Sequence, residues 1–241
     1  MPQTHQVYRS WLADEGETLI ASLDGDPATP VPSCPGWSIT DLVAHVGSYH
    51  RWAADLLLDA VQQPRAPYSL RPDPGITLAA WYRASLDVLL KAIDTTDPET
   101  PMWTVTIDQK AGAWCRRQAH DLTVHRWDAQ HARGHAEPVP AERATDFIDE
   151  LFETTLPYTL PFLGRTAPEA GIALQSADQT YYRRLDGTTG RSHLSRDPGP
   201  VDAVLTGTPS DLLLALWRRA NAATLTGDPT ALAAWQQAID G

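Results

Sequence analysis

Apolar positions recur at helical spacing through most of the first 160 residues. Val7, Trp11, Leu12, Leu19, Ile20 and Leu23 space a helix over Gln6–Leu23, which Gly25-Asp26-Pro27 ends. The run from Pro30 to Trp37 holds three prolines and cannot continue a helix, because proline lacks the N–H that the ladder needs. Ser38, with Asp41 three residues on, then marks a capped start for a second helix reaching about Gln62. Its apolar stripe is Leu42, Val46, Tyr49 and Trp52; His45 lies on that stripe, whereas His50 is turned away from it. After the break Pro64 to Gly75, a third helix spans Ile76–Ile93 with Leu78, Trp81, Tyr82, Leu86, Leu89 and Leu90. A fourth spans Ala113–Ala132, with Gly134 placed to end it. Four helices of this length predict an antiparallel four-helix bundle.

A fifth helical stretch, Glu142 to about Leu156, precedes a change of period. Gly171–Gln175, Tyr181–Leu185 and Arg191–Leu194 alternate at period two and are separated by Asp186-Gly187 and Asp197-Pro198-Gly199-Pro200. A short strand at Ala203–Gly207 leads into a helix capped by Ser210 and carrying Leu212, Leu213, Leu214, Leu216 and Trp217, and a last helix follows Pro229. The expected class is α+β: a helical bundle over residues 1–160 and a small α+β domain over residues 161–241, divided near Thr159 to Thr166.

Charge and composition narrow the functions. With 19 Lys+Arg against 30 Asp+Glu the net charge is -11, and no basic cluster is longer than a pair, so a phosphate backbone or an anionic membrane surface is not the expected partner. No run of about 18 apolar residues occurs, and Met1 to His5 lacks the pattern of a signal peptide, which predicts a cytoplasmic protein acting on a small molecule. Two cysteines, Cys34 and Cys115, exclude a disulfide framework. Oligomeric state, monomer or homodimer, is left open.

The fourth helix carries the sharpest chemistry. Asp121 and His125 are four apart and share a helix face, the spacing of two ligands on one metal ion. Asp128, on the same stripe, is placed to orient the other ring nitrogen of His125. A core-facing His45 from the second helix completes a two-His, one-carboxylate site with positions left for water or substrate. Elsewhere, Cys34 and Cys115 read as structural thiols, His120, His131 and His135 as surface residues, and the tryptophans as core. Arg83 and the pair Arg218-Arg219 are candidates for holding a substrate carboxylate. No phosphate-binding loop and no nucleophile elbow is present.

Cys34-Pro35-Gly36-Trp37-Ser38 with Asp41-Leu42-Val43-Ala44-His45, followed by Arg116 to Asp121 and His125-Arg126-Trp127-Asp128-Ala129, resembles the mycothiol-dependent maleylpyruvate isomerase family within the DinB/YfiT-like metalloenzymes. The resemblance covers nearly the whole chain, Ala203 to Arg219 and Ala222 to Ala238 looking like a small domain similar to sterol carrier proteins. It implies zinc held by His45, Asp121 and His125, and mycothiol as thiol cosubstrate of an actinobacterial enzyme. It places the substrate-side arginines at Arg83 and Arg218 or Arg219, with Arg219 the choice. The isomerase has Glu where this chain has Asp121, one methylene shorter in reach. The implied activity is cis–trans isomerisation by thiol addition; a mycothiol S-transferase for detoxification or biosynthesis, a hydrolase using metal-activated water, and a metal-stabilised binding protein are the alternatives.

Overall fold

The structure is a computed structural model that describes residues 3–73, 75–187 and 190–240; Met1, Pro2, Pro74, Thr188, Thr189 and Gly241 lie outside the description. Four helices build a first compact unit: α1 (His5–Ala21), α2 (Ile39–Asp59), α3 (Leu78–Thr95) and α4 (Ala111–Ala132). Thr4 and Thr77 cap α1 and α3 by accepting from Val7 and Ala80 N–H. At α2 the expected box forms in full: Ser38 Oγ accepts from Asp41 N–H, and the Asp41 carboxylate accepts from Ser38 N–H. Helix α1 packs on α4 and α2 on α3, with α2–α4 and α1–α3 contacts closing the four-helix arrangement.

The centre of this unit is aromatic. Trp52, Trp103 and Trp114 meet edge to face, with ring centroids 5.3 Å (Trp52–Trp114), 5.9 Å (Trp103–Trp114) and 6.1 Å (Trp52–Trp103) apart. Trp114 Nε1 donates to the Trp103 carbonyl at 3.0 Å. Gly47 lets the Trp81 ring lie directly against α2, where a Cβ would strike it. Helix α4 runs through the middle and is buried from Ala111 to Gln130 on almost every side, including Arg116, Arg117, Gln118, His120 and Asp128. A helix buried all round has no polar face to reveal it. Two expectations change accordingly. His120, expected at the surface, is fully buried with its ring 5.9 Å from Tyr8 and 6.5 Å from Trp11 of α1. His50, expected to face away, is fully buried against α3 and α4.

The second unit comprises residues 105–107 and 138–241. The units divide between Glu137 and Pro138, so the helical stretch assigned above to the bundle belongs here. It runs as α5 (Ala141–Glu150), a π-helical turn (Leu151–Thr155) and α6 (Leu156–Phe162). Phe147 packs on Trp217 at 5.7 Å and Phe152 on Trp235 at 5.4 Å, which ties the stretch to the helices of the sheet domain. The π turn, in which Leu156 N–H bonds to the Leu151 carbonyl, absorbs the register change ahead of Pro157, which has no N–H to donate.

Five strands follow: β1 (Ile172–Ser176), β2 (Tyr182–Asp186), β3 (His193–Ser195), β4 (Ala203–Gly207) and β5 (Thr224–Gly227), in the order β3-β2-β1-β4-β5. Only β1–β4 pairs in parallel, Ile172 opposite Ala203; the other pairs are antiparallel. Strand β5 has no apolar alternation and was not expected. Helix α7 (Pro209–Leu216) is capped by Thr208 in a box with Asp211, not by Ser210. Pro209 occupies the first helical position, where its missing N–H costs nothing, and Ser210 Oγ accepts from Val139 N–H instead. Helix α8 (Pro229–Asp240) closes the chain. The α+β class expected from the sequence is the class found. Among the described residues no helix is long and apolar enough to cross a membrane.

Candidate metal centre

The loop ahead of α2 and the middle of α4 supply the site. Val31 N–H bonds to the Trp37 carbonyl at 2.9 Å, and Trp37 N–H to the Cys34 carbonyl at 3.0 Å. Pro35 and Gly36 sit at the corners of that second turn, and Gly36 takes φ +84°, which a Cβ would strain. The turn holds the Trp37 ring 4.9 Å from the His45 ring, and the His45 ring lies 5.1 Å from that of His125.

His45, Asp121 and His125 each offer one ligand atom, and the three atoms lie within 4.8 Å of one another. On α4, His125 Nδ1 meets Asp128 Oδ2 at 3.1 Å, and Asp128 is fully buried. Cys34 Sγ donates to the same carboxylate oxygen at 3.5 Å. In the neutral tautomer that gives Nδ1–H to Asp128, Nε2 presents a lone pair. It faces Asp121 Oδ2 at 3.9 Å, beyond hydrogen-bond range, and that oxygen is buried with no hydrogen-bond partner. A buried carboxylate oxygen with no hydrogen-bond partner, facing a ring nitrogen at that distance, is costly unless a cation satisfies it. The spread of up to 4.8 Å exceeds the edge of about 3.3 Å in a tetrahedral zinc site by about 1.5 Å, a closure within the reach of side-chain rotation. Arg117 Nη2 stands 3.9 Å from the other oxygen, Asp121 Oδ1. The donor set of two imidazoles and one carboxylate therefore fits a divalent metal.

His45 departs from expectation in an instructive way. It is exposed rather than core-facing, while its neighbours Ala44 and Val46 are buried. Packing between Trp37 and His125 desolvates the ring and lowers its pKa, the nearby His125 adding to this and Asp121 and Asp128 opposing it. The neutral imidazole is the form that ligates metal. An open cleft of about 220 Å³ adjoins His45 and is lined by Trp37, Asp41, Ser69 and Arg71.

The arginines expected on the substrate side each bond within their own unit. Arg83, exposed on α3, makes a two-pronged bridge to Glu17 of α1, 2.7 Å at both nitrogens. Arg219 belongs to the second unit, where its Nη1 donates to the Trp217 carbonyl at 2.9 Å. The cation that does line the cleft, Arg71, and its neighbour Ser69 lie in the proline-rich break between α2 and α3, which carries no periodicity to mark them. Trp37 had a signal, its place in Cys34-Pro35-Gly36-Trp37, but no role assigned to it.

Comparison with solved structures gives two matches. The crystal structure of the mycothiol-dependent maleylpyruvate isomerase aligns with a TM-score of 0.60 at 13% identity, covering 94% of this chain and 95% of that one. A point mutant of the mycothiol-dependent maleylpyruvate isomerase aligns with a TM-score of 0.59 at 12% identity and the same coverage. At such identity the likeness is one of fold. No curated protein sequence matches the chain. Residues 11–130, which contain His45, Asp121 and His125, match the family described as mycothiol maleylpyruvate isomerase N-terminal domain, and the chain belongs to that family.

Proposed function

We propose that the chain is an isomerase-type enzyme that uses mycothiol as its thiol cosubstrate, with a divalent metal, zinc, held by His45, Asp121 and His125. The observation that carries this reading is the buried, partnerless Asp121 Oδ2 facing the Nε2 side of a His125 whose other nitrogen is tied to Asp128. When bound there, a divalent cation lowers the pKa of a coordinating thiol, about 8.5 when free, so that it is held as the thiolate. The chain's own residues prepare the site. Asp128 fixes the ring angle and tautomer of His125. The turn at Pro35-Gly36 sets Trp37 over His45, and the exposed edge of His45 leaves the centre open toward the cleft.

The reaction class is thiol-catalysed cis–trans isomerisation. The cosubstrate sulfur adds to one carbon of an electron-poor cis double bond, the resulting single bond rotates, and elimination releases the thiol and the trans product. The family to which the chain belongs and the fold it shares with the mycothiol-dependent maleylpyruvate isomerase support this reading. Incubation of the zinc-loaded protein with mycothiol and maleylpyruvate tests it: fumarylpyruvate appears in proportion to enzyme, and none appears without the thiol. A stable thioether conjugate in place of fumarylpyruvate would replace the isomerase with an S-transferase.

A further inference from the structure

The cleft beside His45 has a chemistry of its own. It is lined by Trp37, Asp41, Ser69 and Arg71, together with Gly36, where nothing occupies the space a Cβ would take. Arg71 Nη1 donates to Asp41 Oδ1 at 2.5 Å, and Asp41 Oδ2 accepts from both the backbone N–H and the hydroxyl of Ser38. These bonds hold the Asp41 carboxyl far below the usual carboxylate range, the Arg71 bond contributing most, so the pair is a neutral ion pair at any working pH.

That pairing decides what the cleft suits. A lone arginine beside the centre would attract a carboxylate, but here its charge is already matched by Asp41, and a second anion would meet the carboxylate as well as the guanidinium. What remains is a mixed set of polar groups. A carboxylate accepts about four hydrogen bonds, and Asp41 has used three; a guanidinium has five N–H groups, and Arg71 has used one. Ser69 and Trp37, which also line the cleft, each carry one further donor group. A lining that combines donors, an acceptor and an aromatic residue matches a neutral ring bearing several hydroxyls, each of which both donates and accepts while its C–H face can pack on an indole. At about 220 Å³ the cleft has room for one such ring rather than a whole two-ring cosubstrate.

We infer that the Trp37–Asp41–Ser69–Arg71 cleft is the subsite for a polyhydroxylated ring of the thiol cosubstrate, holding the ring while the sulfur reaches the centre beside it. The inference rests on the thiol-dependent reading above. Mycothiol carries such rings, a glucosamine joined to an inositol. In this arrangement Trp37 and Arg71 select among thiols by their sugar portion, and the double-bonded substrate approaches from elsewhere.

The test uses a fragment that cannot bind metal: N-acetylglucosaminyl-inositol, the neutral, thiol-free polyol, titrated by calorimetry into the chelator-treated full chain. Saturable binding to wild type is expected, weakened about tenfold or more in Trp37→Leu and in Arg71→Gln. Circular dichroism melts establish that both variants fold. Maleate in place of the polyol is expected to give no saturable heat from this cleft. The inference is overturned if the polyol does not bind, if both folded variants bind it as wild type does, or if maleate binds and is lost in Arg71→Gln. Elemental analysis of the same preparation reads the metal separately. A chain that takes up no zinc yet binds the polyol upholds the subsite and defeats the metal centre; a zinc-loaded chain that ignores the polyol does the reverse.

Discussion

Stability should fall with pH in a window set by His50. The side chain is fully buried, with Nδ1 2.7 Å from Gln118 Oε1 and Nε2 3.1 Å from the Tyr82 hydroxyl. Burial pushes its pKa down from 6.5 to about 4, against the bond to Gln118 and the charge of Asp121, and with help from His125 and His45. The unfolded chain titrates near 6.5 and the folded chain near 4, so between those values the unfolded state binds the extra proton. The stability that depends on a neutral His50 is therefore complete above about pH 6.5, drains as pH falls through that window, and is lost below about 4, while the rest of the folding free energy is untouched by this group. A gap of roughly 2.5 units at about 1.4 kcal/mol each is about 3 kcal/mol, a large part of a typical net stability of 5–15 kcal/mol. The assay is urea unfolding of chelator-treated protein from pH 7.5 to 4.5, wild type beside His50→Gln, which keeps polar atoms near Gln118 and Tyr82 but does not titrate. The variant starts lower by about 1–2 kcal/mol through lost packing, then loses about 2–3 kcal/mol less than wild type across the range. Parallel stability curves for the two proteins would refute the reasoning, because His50 would then not be neutral in the folded state.

Three further outcomes follow from the packing and the site. Gly47→Ala drives a methyl group into the Trp81 ring and against Ser85 Oγ, so it should cost about 1–3 kcal/mol and lower the thermal midpoint; an unchanged melt would contradict the close α2–α3 contact. Arg126 is buried with Nε 2.7 Å from Glu15 Oε2, its Nη1 also bonding Gln130 and the Glu137 carbonyl, so Arg126→Met alone should cost about 3–5 kcal/mol. Adding Glu15→Leu should recover most of that loss in denaturant unfolding, and simple additivity of the two would argue against a direct pair. Asp128→Ala releases His125 Nδ1 and should weaken zinc about 10–100-fold in a chelator competition while leaving the helical circular dichroism intact; unchanged affinity would remove Asp128 from the site.

How much of this was legible in the sequence depends on what each residue's signal was made of. Local chemistry read well. The Ser38–Asp41 box, the stop around Gly25, and the Asp121–His125–Asp128 stripe are short-range patterns that tertiary packing did not override. Histidine burial read poorly on α2 and α4, since an apolar stripe predicts one buried face and these helices are buried over most of their circumference. Hence His50 and His120 are inside, and His45, expected in the core, is left at an open edge. That exposure is what leaves the His45 ring lining the cleft. The helical period of 141–162 says nothing about which unit receives it; the partners Trp217 and Trp235 decide that, and they are distant in sequence. Strand β5, exposed at the sheet edge as Thr-Leu-Thr-Gly, is held by backbone pairing to β4 rather than by a buried face. Ser69 and Arg71 acquire meaning only from the fold that lays their loop beside His45.

The central claim is that His45, Asp121 and His125 hold one metal ion, and elemental mass spectrometry of the purified chain tests it most directly. Wild type, His45→Ala and His125→Ala are each incubated with zinc, desalted and measured, with circular dichroism to establish that they fold. His45 is exposed, so its loss leaves the core untouched and isolates the ligand role. About one zinc per chain in wild type, and none in either folded variant, is the predicted result. Wild type without zinc, or His45→Ala that keeps it fully, would contradict the account.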